Sequence, residues 1–299
     1  MPAVQRMHAD QVDIDDALVR TLVNEQFPHW ADLPLTRVDS SGTVNAIYRL
    51  GDELSVRLPL TPGSIGDVEM EMHWLPRLAP VLPLAVPEPV AVGEPAAGYP
   101  FPWSVHRWID GTPTTLDTLT DPVRAAENLA AFVTALQKID PGEGPVNPMS
   151  PLASRDPSVR QAIAALDGIL DTEAVTRAWQ DALDAPAWDG VPVLMHADLL
   201  PGNLLAVDGE LTAVIDFGGL SSGDPAAETI AAWTVFDGDS REAFRGGLGV
   251  DDATWRRGRG FALSKGLIAL PYYRTTNPGF AAVARHMIDA VLTDVGART

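Results

Sequence analysis

The most informative stretch of this 299-residue chain reads Leu-Met-His196-Ala-Asp198-Leu-Leu-Pro-Gly-Asn203-Leu-Leu, and Ile215-Asp216-Phe217-Gly218-Gly219 follows shortly after it. Short apolar runs predict strands over residues 191–195, 204–207 and 211–215. Asp208-Gly209 between the last two strands is a strong hairpin signal. Asp198 therefore lies on a loop directly after a buried strand, and Asp216 lies at the end of the hairpin.

The side chains of this stretch have the chemistry that phosphoryl transfer requires. Asn203 and Asp216 offer one amide oxygen and one carboxylate at adjacent strand ends, and Mg²⁺ prefers such hard oxygen ligands. Asp198 is the remaining carboxylate, which can accept or orient the proton of an attacking hydroxyl group. We therefore predict Asp198 as the catalytic residue and Asn203 and Asp216 as metal ligands.

The spacing of these residues resembles the catalytic loop and metal motif of protein kinase-like enzymes, H-R-D-x-x-x-x-N and D-F-G. Ala197 stands where protein kinases have arginine, and a small residue at this position is usual in the aminoglycoside phosphotransferase family. Gly223-Asp224-Pro225-Ala226 is also similar to that family. The chain therefore resembles this family more closely than the protein kinases. An ordinary core hairpin would leave these acids, the amide and the histidine clustered without reason.

The resemblance implies an α+β, bilobal protein kinase-like fold. A small N-terminal lobe with an antiparallel sheet, residues 1–108, would bind the nucleotide. A larger, mainly helical C-terminal lobe, residues 109–299, would carry the catalytic and acceptor-binding residues. Hydrophobic periodicity agrees with this division. It predicts strands at 35–39, 44–50, 53–59 and 103–109, a helix around 64–78, and later helices at 159–170, 172–183, 226–236, 241–248, 253–270 and 280–295.

One N-terminal segment, residues 40–45, is similar to the loop that covers the phosphates in this family. The resemblance implies nucleotide contacts from Ser41, Gly42 and Asn45. The segment has a single glycine, so a plain hairpin turn is an alternative reading of the same residues.

The strand over 53–59 holds Arg57 where kinases have lysine. Arginine can still pair with the phosphates, with permanent charge and bidentate geometry. The resemblance implies a glutamate partner on the following helix, for which we favour Glu71 over Glu69. The alternative for either glutamate is a solvated helix face.

The segment over 103–111 resembles the hinge strand, where backbone groups would bond the adenine edge. His106 and Trp108 are the nucleotide-binding candidates of this strand. The ring of Trp108 would either pack on the purine or fill the core, and we favour the core.

The resemblance gives His196 and Asp224 a structural role in supporting the catalytic loop, in preference to a general-base role for His196. Carboxylates that follow the metal motif would suit a cationic acceptor, which makes Glu228, Asp237 and Asp239 the acceptor-binding candidates. Solvated helix faces and helix caps are the alternative explanation for these three acids.

The composition excludes several classes of protein. Hydrophobic residues make up 46% of the chain and charged residues 20%, which excludes wholesale disorder. There is no cysteine, so disulfides and thiolate zinc sites are excluded. No apolar run is long enough to span a membrane, and residues 1–16 lack the features of a secretory signal, so we expect a cytoplasmic location without membrane association. The net charge of −19 argues against a nucleic-acid partner and permits a cationic one.

The resemblance implies a kinase that transfers the γ-phosphoryl group of ATP or GTP, with Mg²⁺, to a hydroxyl group of an aminoglycoside-like acceptor. A macrolide, or a metabolite such as choline, homoserine or a sugar, is an alternative acceptor in the same fold. A catalytically weak, nucleotide-binding pseudokinase is the alternative of another class. Arg57 and the single-glycine loop favour this last alternative, whereas the intact Asp198, Asn203 and Asp216 oppose it.

Overall fold

The structure, a computed structural model, describes residues 11–38, 44–142, 144, 146 and 151–296. The chain forms two compact units. The first comprises Met1–Val81, Ala85–Gly111 and Ala213–Gly218, and the second comprises Leu82–Leu84, Thr112–Thr212 and Gly219–Thr299. The predicted boundary after residue 108 differs from this division, because the first unit extends to Gly111 and also contains the segment Ala213–Gly218 with Asp216.

The first unit is built on a five-stranded antiparallel sheet in the order β1-β2-β3-β5-β4. Buried and partly exposed residues alternate along β2, which is the period-two pattern of a strand with one face in the core. All six residues of β3 are buried because this strand is central in the sheet. The strands are β1 Leu35–Arg37, β2 Asn45–Leu50, β3 Leu54–Pro59, β4 Pro89–Gly93 and β5 Trp103–Arg107.

Two helices complete this unit, α1 Asp16–Gln26 and α2 Ile65–Leu78. Helix α1 begins where the Asp15 carboxylate accepts a hydrogen bond from the Leu18 backbone N–H at 2.8 Å, which satisfies an unpaired donor of the first turn. The buried residues of α2 recur at helical spacing, and Glu71 lies within this stripe among Val68 and Leu75. A carboxylate is therefore brought into the interior of the unit by an otherwise apolar helix face.

The chain also forms a three-stranded sheet in the order β6-β8-β9 and a two-stranded pair of β7 and β10. The predicted hairpin is confirmed, with Asp208 and Gly209 in its turn at φ of 51° and 80°. These positive angles suit an Asp-Gly turn. The strands are β6 Thr112–Pro113, β7 Val193–Met195, β8 Leu204–Val207, β9 Glu210–Val214 and β10 Ser221–Gly223.

Helices form most of the second unit, and α7 is buried over most of its length. Within the described ranges, no helix combines the length and apolar character needed to cross a bilayer. The helices are α3 Pro122–Gln137, α4 Asp156–Ala165, α5 Thr172–Leu183, α6 Gly238–Leu248, α7 Asp252–Tyr273 and α8 Pro278–Gly296.

The helix predicted over 226–236 is confirmed over Pro225–Trp233, where it is a 3₁₀ helix. Asp224 caps it by accepting a hydrogen bond from the Ala226 N–H at 3.0 Å. Helix α7 approaches it so closely that a Cβ on Gly258 would lie 1.9 Å from Thr229 Oγ1. The alanine-rich sequence has helical propensity, whereas the tertiary packing against α7 gives the segment its final form.

Candidate active site

The loop after β7 carries the predicted catalytic residues. Asp198 is partly exposed, with 30% of its side chain accessible. Asn203 ends the short 3₁₀ turn Pro201–Asn203, and its Nδ2 donates to Asp198 Oδ2 and to the Asp198 backbone oxygen, both at 2.8 Å. The structure therefore brings these two residues together, with the amide nitrogen of Asn203 facing Asp198.

The backbone of this loop has an unusual conformation at Ala197, whose φ is 64°. A left-handed conformation at a residue with a Cβ is costly and needs support from its surroundings. The carboxylate of Glu228 gives this support, since Oε1 accepts from Ala197 N–H at 2.7 Å and Oε2 from His196 N–H at 3.1 Å. The 3₁₀ helix therefore holds the catalytic loop through one acidic side chain.

Glu228 is fully buried. Burial raises its pKa to about 7, although the two backbone N–H groups act in the opposite direction. The prediction that Glu228 contacts the acceptor does not fit this position, because both of its oxygens face the backbone of the loop. A sequence pattern cannot distinguish a buried carboxylate from an exposed one when its neighbours along the chain are mostly alanines.

His196 is buried, and its Nδ1 accepts a hydrogen bond from the Asp198 N–H at 3.2 Å. This contact joins the ring to the backbone of the loop. Asp224 forms a buried ion pair with Arg257, with Oδ2 at 2.7 Å from Nε. Both side chains thus lie in the interior, where the sequence analysis had assigned them a supporting role.

Lys265 on α7 is a residue that the sequence analysis missed. Its Nζ forms an ion pair with Asp198 Oδ1. Burial would raise the pKa of Asp198, but the Lys265 ammonium, with His196 and Asn203, outweighs it and holds that pKa below its usual value. No local motif surrounds Lys265, and only the packing of α7 brings it to a loop 67 residues away.

The first unit contains a second cluster, centred on Arg57. Its Nη1 lies 3.0 Å from Glu71 Oε1, and its Nη2 lies 3.5 Å from Asp216 Oδ1. Glu71 Oε1 also accepts a hydrogen bond from the Phe217 N–H at 3.2 Å. Glu71 is thus the helix partner of Arg57, whereas Glu69 is exposed.

The opposite charges of this cluster lie close together and shift the pKa values of its members. Burial disfavours the charged forms of Arg57 and Glu71, but for Arg57 the carboxylates of Glu71 and Asp216 prevail, and its pKa is raised. For Glu71 burial prevails over Arg57, and its pKa is also raised. Nearby Asp67 has a pKa raised to about 7 by burial and by the charges of Glu71 and Asp216.

Asp216 has a φ of 67°, and its side chain is 34% exposed, while Phe217 is fully buried. The phenylalanine therefore anchors the segment in the core and leaves the carboxylate accessible. A Cβ on Gly218 would lie 3.0 Å from Asp67 Oδ2, a close approach that favours glycine at this position.

The nucleotide-binding candidates of β5 occupy different environments. The His106 ring is buried, with Nε2 3.0 Å from Ser104 Oγ and 3.8 Å from Glu71 Oε2, and burial lowers its pKa to about 3. Its side chain therefore faces the Arg57 cluster. The expectation that Trp108 fills the core is wrong, because its ring is partly exposed, stacks on Arg49 and donates from Nε1 to Asp110 at 2.9 Å.

The remaining candidates are placed as follows. Ser41 and Gly42 lie outside the described residues, and Asn45 is the first residue of β2. Asp237 is the N-cap of α6, where its backbone N–H donates to Ser240 Oγ at 3.1 Å. Asp239 is exposed in the first turn of α6, where a carboxylate complements the helix dipole.

Each of the two predicted metal ligands carries an oxygen atom of the kind that Mg²⁺ binds. In the parts of the chain that the structure describes, no three His, Asp or Glu side chains cluster as metal ligands. Mg²⁺ does not need such a cage, because it retains waters and binds through one or two carboxylates plus phosphate oxygens. Since Nδ2 of Asn203 is engaged with Asp198, its Oδ1 is the atom that can bind a cation, and the partly exposed Asp216 offers a carboxylate.

Comparison with known proteins identifies the family of this chain. The model of a family described as "Phosphotransferase enzyme family" matches residues 36–261, more than half of the chain. Among curated proteins, none matches the sequence.

Similar solved structures include wild-type aminoglycoside 2′-phosphotransferase-IIIa with GDP, at 18% identity and TM-score 0.75 over 94% of this chain and 100% of that chain. A GDP and kanamycin complex of an APH(2″) enzyme has 19% identity and TM-score 0.74, covering 92% and 98%. Macrolide 2′-phosphotransferase MphH from Brachybacterium faecium, an apoenzyme, has 22% identity and TM-score 0.61, covering 93% and 98%. These similarities confirm the predicted protein kinase-like fold.

Proposed function

Since the chain belongs to the phosphotransferase enzyme family, we propose that it transfers the γ-phosphoryl group of ATP or GTP to a hydroxyl group of an aminoglycoside-like small molecule. The contact between Asn203 Nδ2 and Asp198 Oδ2 at 2.8 Å carries this proposal. It holds a partly exposed carboxylate in a fixed orientation, which suits it to accept a proton from a hydroxyl group. Similar structures that contain GDP or ATP, and kanamycin or streptomycin, support the classes of donor and acceptor.

In the proposed reaction, Asp198 accepts the proton of the acceptor hydroxyl as the hydroxyl oxygen attacks the γ-phosphorus. The bond from the γ-phosphorus to the β,γ-bridging oxygen breaks, and ADP or GDP leaves. Asn203 Oδ1 and Asp216 would hold Mg²⁺, which when bound neutralises charge on the phosphate oxygens. Arg57 binds the phosphates of the donor, and Glu71 holds Arg57 in place from α2. Catalysis then consists mainly of positioning and of charge stabilisation.

A macrolide is the second candidate acceptor, because a macrolide 2′-phosphotransferase is among the similar structures. The described carboxylates do not decide between these acceptors, since Glu228 is buried and Asp237 caps a helix.

A coupled assay of ADP or GDP release tests the proposed function. The purified protein is mixed with Mg²⁺, with ATP or GTP, and in turn with kanamycin, gentamicin, erythromycin, choline and homoserine. We expect nucleotide turnover that depends on one acceptor class. Binding of the nucleotide without turnover for every acceptor would favour the pseudokinase alternative and contradict the proposal.

A further inference from the structure

Helix α7 presents a single ammonium group to the catalytic loop. Lys265 Nζ contacts Asp198 Oδ1, and the side chain of Lys265 is 28% exposed. The residue before it, Ser264, is fully buried and accepts a hydrogen bond from Arg155 at 2.9 Å. Lys265 is therefore anchored on a buried helix while its charged end reaches the accessible side of Asp198.

The choice of lysine at this position is informative because the chain has 19 arginines and only two lysines. Two buried carboxylates of the same unit pair with arginine, Asp224 with Arg257 and Asp294 with Arg259. A guanidinium group tends to take both oxygens of a carboxylate, whereas an ammonium group is a compact point charge. Lysine thus engages one oxygen of the carboxylate and leaves the other to a different partner.

Asp198 shows this division of its two oxygens. Oδ1 contacts Lys265, and Oδ2 accepts from Asn203 Nδ2 at 2.8 Å. Two contacts on different oxygens, one from α7 and one from the loop itself, fix the plane of the carboxylate. Arginine in place of Lys265 would compete with Asn203 for the second oxygen.

We infer, on the basis of the proposed function, that Lys265 is a positioning residue for phosphoryl transfer. Its ammonium orients the Asp198 carboxylate toward the acceptor hydroxyl and supplies a positive charge beside it. Because Lys265 acts through Asp198 in the chemical step, its loss lowers kcat, while the KM for the nucleotide changes little.

The absence of cysteine permits a direct test by chemical replacement. In Lys265→Cys the new thiol is unique in the chain, and alkylation with 2-bromoethylamine restores an ammonium group at the same distance from the backbone. Methyl methanethiosulfonate gives a neutral adduct as the matched reagent. Lys138→Cys is the control variant, since Lys138 is exposed on the C-cap of α3.

The kinetics are measured with the acceptor of the panel above that the wild type phosphorylates. We expect kcat of Lys265→Cys to fall roughly 100-fold, which is in the range of a general-base contribution. Aminoethylation restores most of the lost kcat, and the neutral adduct restores none. Lys138→Cys keeps wild-type kinetics whether its thiol is unmodified, aminoethylated or converted to the neutral adduct.

Two results would overturn the inference: a wild-type kcat in Lys265→Cys, or equal recovery with the neutral reagent, which would mean that Lys265 only fills space. If Lys265→Cys does not fold, as judged by circular dichroism, Lys265→Gln is measured instead, and a wild-type kcat in that variant overturns the inference equally. A wild type that turns over no acceptor contradicts the proposed function itself, whereas an active wild type with active Lys265 variants contradicts only the role of Lys265.

Discussion

Asp216 combines an accessible carboxylate with a backbone held in the left-handed region by its neighbours. Its φ is 67°, and the buried Phe217 ring and the Glu71 contact to the Phe217 N–H fix the segment. These contacts involve the residue after Asp216, so the side chain of Asp216 can be changed without removing them. Changing this side chain also removes the ion pair between Asp216 Oδ1 and Arg57 Nη2, so the substitution tests the proposed metal ligand together with that contact.

Asp216→Ala is expected to abolish Mg²⁺-dependent nucleotide binding, because the variant loses the carboxylate of the proposed ligand pair. Titration calorimetry with Mg·ATP and Mg·GTP should show a loss of roughly 100-fold or more in affinity. Asp32→Ala, at an exposed position of the same unit, is the matched control. Unchanged affinity for the Mg·nucleotide in Asp216→Ala would show that this carboxylate does not hold the metal.

Asp198, Asn203 and Asp216 could be chosen as site candidates because they stand in a motif with fixed spacing. Arg57 could be chosen because its strand resembles the kinase strand that carries lysine. Glu71 was favoured because the resemblance implies a glutamate partner for Arg57 on this helix, and the structure places Glu71 in the buried stripe of α2. Lys265 was not predictable in the same way, since its partner comes from a distant loop. Motif spacing identifies residues on one loop, whereas a side chain delivered by another helix depends on tertiary packing.

Two elements of the second unit cooperate to hold the catalytic loop. The 3₁₀ helix supplies Glu228, and α7 supplies Lys265. The loop itself contains the strained Ala197 and cannot hold this conformation by local contacts alone. The stability of these two elements should therefore affect the loop directly.

Glu228 should make the stability of the protein depend on pH. Its pKa is about 7 in the folded protein, against an ordinary value of 4.5, so the folded state binds the proton more tightly than the unfolded state. The stabilisation from this proton is complete below about pH 4.5 and is lost as pH rises through 7. The wild type should lose about 3 kcal/mol relative to Glu228→Gln over this interval.

Urea unfolding of both proteins at pH 4.5, 6 and 8 measures this difference. Glu127→Gln, an exposed substitution on α3, is the control and should follow the wild type at every pH. A constant difference between wild type and Glu228→Gln across the three pH values would mean that Glu228 does not titrate in this range.

The close approach of α7 to the 3₁₀ helix predicts a steric effect. In Gly258→Ala the new methyl group would meet Thr229 Oγ1, which is itself fixed by its hydrogen bond to the Ala226 oxygen at 2.8 Å. We expect a loss of about 1–3 kcal/mol in the free energy of unfolding.

The matched control is Gly246→Ala on α6, where a Cβ would meet nothing within 4 Å. This variant should gain about 0.5–1 kcal/mol, because alanine has the higher helix propensity. Urea midpoints of both variants test the prediction, and a neutral Gly258→Ala would show that the two elements can separate without cost.

Most elements were predictable from hydrophobic periodicity. The residues at which the strands and helices begin and end were less predictable. Strand β8 and helix α5 match the predicted bounds, since turn signals and caps flank them. Strand β5 ends at Arg107, two residues earlier than predicted. The helix over Pro225–Trp233 was predicted without its 3₁₀ type, because alanine-rich periodicity does not reveal how closely α7 approaches at Gly258.

The molecule as a whole carries a net charge of −19 and is proposed to bind a polyanionic nucleotide. The structure shows how cationic groups are placed against this background. Arg57 lies between Glu71 and Asp216 in the first unit, and Lys265 lies against Asp198 in the second. Arg57 and Lys265 therefore lie beside Asp216 and Asp198, the acids of the two motifs, while the excess of acidic residues is spread along the whole chain.

Transfer of the labelled γ-phosphoryl group from Mg·ATP or Mg·GTP to the acceptor, compared between wild type and Asp198→Asn, tests the proposed reaction most directly. Asparagine retains the shape of Asp198 but cannot accept the hydroxyl proton. We predict labelled acceptor with the wild type, a loss of roughly 100-fold or more in rate with Asp198→Asn, and nucleotide affinity that is the same in both. Labelled acceptor formed by Asp198→Asn at the wild-type rate would contradict the proposed role of Asp198.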